Sequence, residues 1–159
     1  MEWMVYCGTA LALMGSALAV GMACSGSAKG VGVVGEIGAG VLTEDPNRFA
    51  QVMILQIIPG TQGLYGLVTW AFALVRLGVF AGEMRTLSIQ EGIMFFAACM
   101  PIAIGGMISA YAQGKCAAAG VAMCSKRPDQ LSKAMIMAIM VEFYAILCLL
   151  ASIIMLIFM

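Results

Sequence analysis

The sequence predicts an all-α integral membrane protein with four transmembrane helices in two tandem hairpins, and three observations predict it. Of its 159 residues, 63% are hydrophobic and 10% charged, with a mean hydropathy of +1.03. A soluble domain of this length has no core able to hide so much apolar surface. The apolar residues form four runs, at about 4–42, 49–79, 88–124 and 130–158, each longer than the roughly 20 residues that cross a bilayer. Finally, T-E-D-P-N-R at 43–48 and S-K-R-P-D-Q at 125–130 are short proline-bearing loops that fold the first and second runs, and the third and fourth, into hairpins. Two units follow, 1–79 and 80–159.

Taken in order, the first run could pass for a signal peptide, but it carries acidic Glu2, has no basic n-region and continues into a long glycine-rich stretch. It is therefore expected to be a retained helix. Gly26 and Gly30 form a G-x-x-x-G, and the third run repeats small residues at Gly106, Ala110, Gly114 and Ala118. Such spacing lets backbones approach closely, and its presence on two helices predicts a crowded inner layer, as in a ring. Gly30, Gly32 and Gly35 also spell G-x-G-x-x-G ahead of Glu36, but a dinucleotide fingerprint needs a preceding strand and a βαβ unit. The second run contains I-I-P-G-T-Q-G-L-Y-G at 57–66, where Pro59 removes a backbone donor and frees the Leu55 carbonyl. The fourth run carries Glu142 as its only acidic residue.

Sliding the chain by 82 residues aligns Gly32 with Gly114, Gly38 with Gly120, Pro46 with Pro128, Met53 with Met135 and Ile57 with Ile139. A parallel repeat of this kind indicates a duplicated two-helix unit. Glu142 falls opposite Gly60, so one carboxylate serves four helices.

The formal charges cancel, which leaves no basic footprint for nucleic acid. Six of the eight basic residues lie on or near the proline loops (Lys29, Arg48, Lys115, Lys126, Arg127, Lys133). The positive-inside rule therefore puts the loops at Pro46 and Pro128 in the cytoplasm and both termini outside. Lys29 and Glu36 are expected on a cytoplasmic extension of the first helix, leaving no basic residue at the depth of Glu142. The six cysteines form no C-x-x-C and have no histidine beside them, so they are expected to be reduced packing residues.

Glu142 lies 14 residues past Pro128 in an apolar run. A charged acid at mid-membrane costs roughly 2.5–3.5 kcal/mol even on the lenient insertion scale, and residues placed so are functional by default. It must be neutralised by a proton, a metal ion or a basic partner. Ile58, Thr61, Gln62 and Tyr65 stand at i, i+3, i+4 and i+7, on one helical stripe beside the opened turn. Hydroxyl, amide, phenol and carbonyl oxygens suit a hard cation. Gln113, on the third run, adds another amide.

G-S-A-K-G at 26–30, P-G-T-Q-G-L-Y-G at 59–66, A-Q-G-K at 112–115 and V-E-F-Y-A-I-L at 141–147 together resemble the K subunits, or proteolipids, of bacterial V-type sodium ATPases. The resemblance spans nearly the whole chain. It implies a homo-oligomeric ring of four-helix subunits with helices 1 and 3 inside, lipid around helices 2 and 4, and no catalysis by the subunit itself. It further implies rotation against a membrane stator that supplies an arginine, and a central stalk seated on the cytoplasmic loops. Na+ would be held by Glu142, Gln113, Thr61, Gln62 and the Ile58 carbonyl, with Tyr65 hydrogen-bonding the carboxylate; H+ is the alternative coupling ion. The sequence departs from the pattern at Phe143, where a threonine is common, and in the connection around 76–90. The bacterial match implies a bacterial plasma membrane.

A four-helix proton-coupled exporter would also use a lone membrane glutamate. Exporters of that kind place the acid early in the chain within an aromatic pocket, whereas here it lies on the last helix and aromatics make up only 8%. A purely structural tetraspan protein has no use for Glu142 opposite Thr61 and Gln62.

Overall fold

The computed structural model describes the backbone of residues 3–159 and the side chains of residues 6–159, so Glu2 lies outside the described residues. The elements are α1 (Trp3–Glu44), α2 (Phe49–Ile57), α3 (Thr61–Arg76), α4 (Ile89–Lys126) and α5 (Leu131–Ile157). No strand occurs among the described residues. Four stretches are long and apolar enough to cross a membrane, namely Tyr6–Glu44, Pro46–Arg76, Ile89–Lys126 and Pro128–Ile157. These are the expected four spans, with α2 and α3 forming one span interrupted at Pro59. At 1.5 Å per residue the 42-residue α1 is roughly 63 Å long, about twice the hydrocarbon thickness.

Both proline loops fold alike, as a one-turn 3-10 helix (Pro46–Arg48 and Pro128–Gln130) running straight into the next α-helix. Proline suits the first position because its missing amide hydrogen has no intrahelical partner there. In the first loop the Asp45 carboxylate accepts the Asn47 amide at 3.1 Å and pairs with Arg48 at 2.9 Å; the second loop has no side-chain cap. Gln51 Nε2 donates to the Pro128 carbonyl at 3.4 Å, linking the two loops at one end of the molecule. At the other end the connection from Leu77 to Ser88 turns on Gly78 and Gly82, both with φ of 75°. Thr9 fastens it to α1 by accepting the Leu87 amide at 3.0 Å and donating to the Arg85 carbonyl at 3.2 Å. α4 then opens with a capping box of Ser88 and Glu91.

The small-residue stripes bring α1 and α4 together as a closely packed pair. A Cβ on Gly114 would lie 2.4 Å from the Cα of Gly30, so the two backbones touch and neither position has room for a side chain. Gly106, Ala110 and Ala118 are buried on the same stripe. α3 packs on α1 and α5 on α4. α5 turns Met140, Phe143, Tyr144, Leu147 and Leu150 outward as exposed apolar side chains, which suits a helix facing lipid or a neighbouring protomer.

Lys29 does not lie on an extension beyond the site. Its neighbour Gly30 packs against Ala110 and Pro59, which puts the lysine at the depth of the broken turn. It is exposed and lines an open cavity with Gly26, Met107, Ile108 and Tyr111. No ion pair joins it to an acid among the described residues. Glu36, two turns further on, is exposed as expected. No disulfide forms among the described residues; Cys99 and Cys124 are buried and Cys24 is exposed.

Candidate ion site

The site forms where the interrupted span meets α4 and α5. Pro59 cannot donate to the Leu55 carbonyl, and the chain responds with a single 3-10 turn, Ile58–Gly60, before α3 begins at Thr61. The expected open turn is therefore closed by i→i+3 bonding, with the Thr61 amide donating to the Ile58 carbonyl. That carbonyl also accepts the Thr61 hydroxyl at 3.1 Å. Restarting the helix at this point sends Thr61, Gln62 and Tyr65 toward the second hairpin.

From Thr61 a chain of polar contacts crosses the molecule. The Thr61 hydroxyl lies 3.4 Å from Gln62 Oε1, Gln62 Nε2 donates to Gln113 Oε1 at 2.6 Å, and Gln113 Nε2 donates to the Ala138 carbonyl of α5 at 3.0 Å. Both glutamines are fully buried. Buried amides are tolerated because each has a partner, and no buried side-chain nitrogen or oxygen is left without one among the described residues. One turn above Thr61 the Tyr65 hydroxyl donates to Glu142 Oε1, and Thr69 in turn donates to the Tyr65 carbonyl at 3.0 Å. The other carboxylate oxygen of Glu142 has no hydrogen bond among the described residues.

All six residues expected at the site thus meet in two linked groups: Ile58, Thr61, Gln62 and Gln113 in one, Tyr65 and Glu142 in the other. The donor set is oxygen throughout and includes one carboxylate. No cluster of three histidine, cysteine, aspartate or glutamate residues occurs among the described residues, so the set suits a singly charged hard cation or a proton better than a transition metal. Sequence reasoning missed three contributors. These are the Ala138 carbonyl; Ser27, whose Oγ accepts the Gly63 amide at 2.8 Å; and Ser109, whose Oγ donates to the Val141 carbonyl at 3.1 Å. Nothing local in the sequence marks the carbonyl, but the 82-residue register superimposes the two serines and could have flagged them.

Two repeated membrane hairpins sharing one mid-span carboxylate, which faces a broken helix, define a class: the small duplicated proteolipids. Comparison with known proteins gives the family. The family model of the ATP synthase C subunit matches twice, over residues 14–72 and 96–155, with starting points separated by the same 82 residues as the two proline loops. The chain is 44% identical over 140 residues to V-type sodium ATPase subunit K of Enterococcus hirae, covering 88% of this chain and 86% of that protein. It is 38% identical over 147 residues to A-type ATP synthase subunit K of Methanocaldococcus jannaschii, covering 92% of this chain and 62% of that protein. The chain belongs to the family of ATP synthase C subunits, as a non-catalytic proteolipid rotor component of the V/A type that assembles with identical copies into a membrane ring. The exporter and tetraspan readings fall with that membership.

Proposed function

We propose that every protomer of the ring holds one Na+ at Glu142 while the ring turns, coupling ion movement to ATP hydrolysis or synthesis in a separate soluble head. The observation that carries this reading is the meeting of the lone mid-span carboxylate, held by Tyr65, with the oxygen chain of Thr61, Gln62 and Gln113. The sodium ATPase named among the relatives supports the choice of ion. Electrostatics supplies the mechanism. An ionised Glu142 is costly within hydrocarbon, so it travels through lipid only when neutralised. Na+ does this with the carboxylate charge, aided by oxygens of Thr61, Gln62, Gln113 and the Ile58 carbonyl. At the stator an arginine, supplied by another protein of the complex, offers the carboxylate a competing partner and releases the ion. Tyr65 keeps the carboxylate aimed inward between exchanges.

In this reading the hairpins 1–79 and 80–159 are unequal halves of one carrier, the first contributing the cradle and the second the charge. Arg48, Lys126, Arg127 and Lys133 support a cytoplasmic position for the loops at Pro46 and Pro128, where the Gln51 tie to Pro128 would brace them beneath a central stalk. Both termini lie outside, in a bacterial plasma membrane.

The test is carbodiimide labelling of Glu142 in solubilised rings over a range of pH, with sodium or with potassium as the ionic-strength control. Protection by sodium at millimolar or lower concentration is expected, weakened in Thr61→Ala and more strongly in Gln113→Ala, which strands the buried Gln62 amide. Labelling that follows pH and ignores sodium makes the ring a proton carrier.

A further inference from the structure

Ser27 and Ser109 stand 82 residues apart, so the internal repeat superimposes them. Each lies on the inner helix of its hairpin and is buried, and each is bonded to the backbone of its own hairpin's outer span. Ser27 Oγ accepts the Gly63 amide at 2.8 Å, and Ser109 Oγ donates to the Val141 carbonyl at 3.1 Å. The residues gripped are the chain neighbours of Gln62 and Glu142. The polarity of the grip reverses between halves, and the reversal has a local cause. The break at Pro59 makes Gly63 the third residue of a new helix, where amides lack intrahelical acceptors and where Gly60 supplies no side-chain cap. Ser27 therefore caps α3 from a different helix. α5 runs unbroken past Glu142, its amides there are committed to its own ladder, and a second carbonyl lone pair is the backbone group left to receive a hydroxyl.

We infer that Ser27 and Ser109 are a duplicated pair of positioning residues, fixing the cradle turn and the carboxylate turn respectively to the inner helices, so that ion affinity depends on two hydroxyls that touch no ion. The inference rests on the carrier reading above and deepens it. Each hydroxyl holds a turn whose side chain must point at a shared ion, so losing one grip disturbs one arm of the site and leaves the other in place. The Cys24 thiol, one turn earlier on α1, donates to the Gly63 carbonyl at 3.7 Å, a long contact beside the 2.8 Å bond that the Gly63 amide makes to Ser27.

The experiment uses the complete rotary ATPase reconstituted in vesicles, with turnover measured against sodium concentration. Ser27→Ala and Ser109→Ala are each expected to raise the half-saturating sodium concentration by up to about tenfold, the size of one net hydrogen bond, while the maximal rate is retained. Ser27→Thr and Ser109→Thr, which restore the hydroxyl, are expected to return it toward the parental value. Unchanged half-saturation in either alanine variant, or a loss confined to the maximal rate, overturns the paired role. If an alanine ring does not assemble, Ser→Cys at the same position keeps the volume and takes the same test. A parental enzyme indifferent to sodium overturns the sodium reading alone; the serine pair is then judged by the same split measured against proton concentration.

Discussion

The two hairpins began as one design and differ where it matters. Their first helices α1 and α4 are both long, rich in small residues and in backbone contact, and their proline loops fold alike. Their outer spans have diverged. The first is broken at Pro59 and presents Thr61, Gln62 and Tyr65, whereas the second is continuous, almost wholly apolar, and carries Glu142. In the proposed carrier the difference means that duplication has divided the labour of the ion site. A hairpin without its own acid tolerates a proline-broken span there, and the polar side chains beside the break face the other hairpin's carboxylate.

The sharpest way to break that comparison is to remove the charge. Glu142→Gln should abolish ion-coupled transport while rings still assemble, since the amide keeps the shape and the Tyr65 partner; transport persisting in that variant would end the idea that one carboxylate serves four helices. Next in size is Tyr65→Phe, which deletes the first hairpin's hydrogen bond to the acid. A hydrogen bond to a charged group is worth about 1.5–3 kcal/mol, so ion affinity should fall by roughly ten- to a hundredfold with ring stability little changed, as read by ion titration and thermal melting.

The inner layer offers a finer test of equivalence. Gly32 and Gly114 align in the repeat, yet a Cβ on Gly114 would strike Gly30 and one on Gly32 would meet nothing within 4 Å. Gly114→Ala should destabilise the protein by about 1–3 kcal/mol, the usual cost of overpacking, and Gly32→Ala should leave the isolated protomer's packing untouched. Equal losses of thermal stability in the ring would mean that a neighbouring copy crowds Gly32. The smallest effect separates the loops. The Asn47 amide, and then the Arg48 guanidinium, hold Asp45 below the ordinary carboxylate value of 3.8. A depressed pKa stabilises the folded loop above that value and the contribution disappears as pH falls through the lowered one. Pepsin cleavage near Pro46 should therefore accelerate toward the acid end of its range, and Asp45→Ala should flatten that dependence.

Much of this was legible because membrane helices are simple to read. The four spans, the paired proline loops and the 82-residue register follow from hydropathy and spacing, and a mid-span acid opposite a proline break announces itself chemically. What stayed hidden depends on how helices are rotated and shifted against one another, which periodicity alone does not fix. Lys29 is expected beyond the site because lysines avoid hydrocarbon, but the contact of Gly30 with Pro59 and Ala110 sets it at site depth, on an open face. The Ala138 carbonyl and the two serine grips lie between helices distant in sequence, and the closure of the Pro59 turn by 3-10 bonding is a backbone choice that the proline permits without dictating.

The backbone contact between α1 and α4 has a mechanical meaning too. Two rods touching over much of their length, with Thr9 of α1 bonded to the segment that leads into α4, resist flexing as a single beam. A beam's stiffness climbs steeply with thickness, so each protomer presents a strut rather than a pair of reeds, and force applied to its loops reaches the middle of the membrane with little lost to bending.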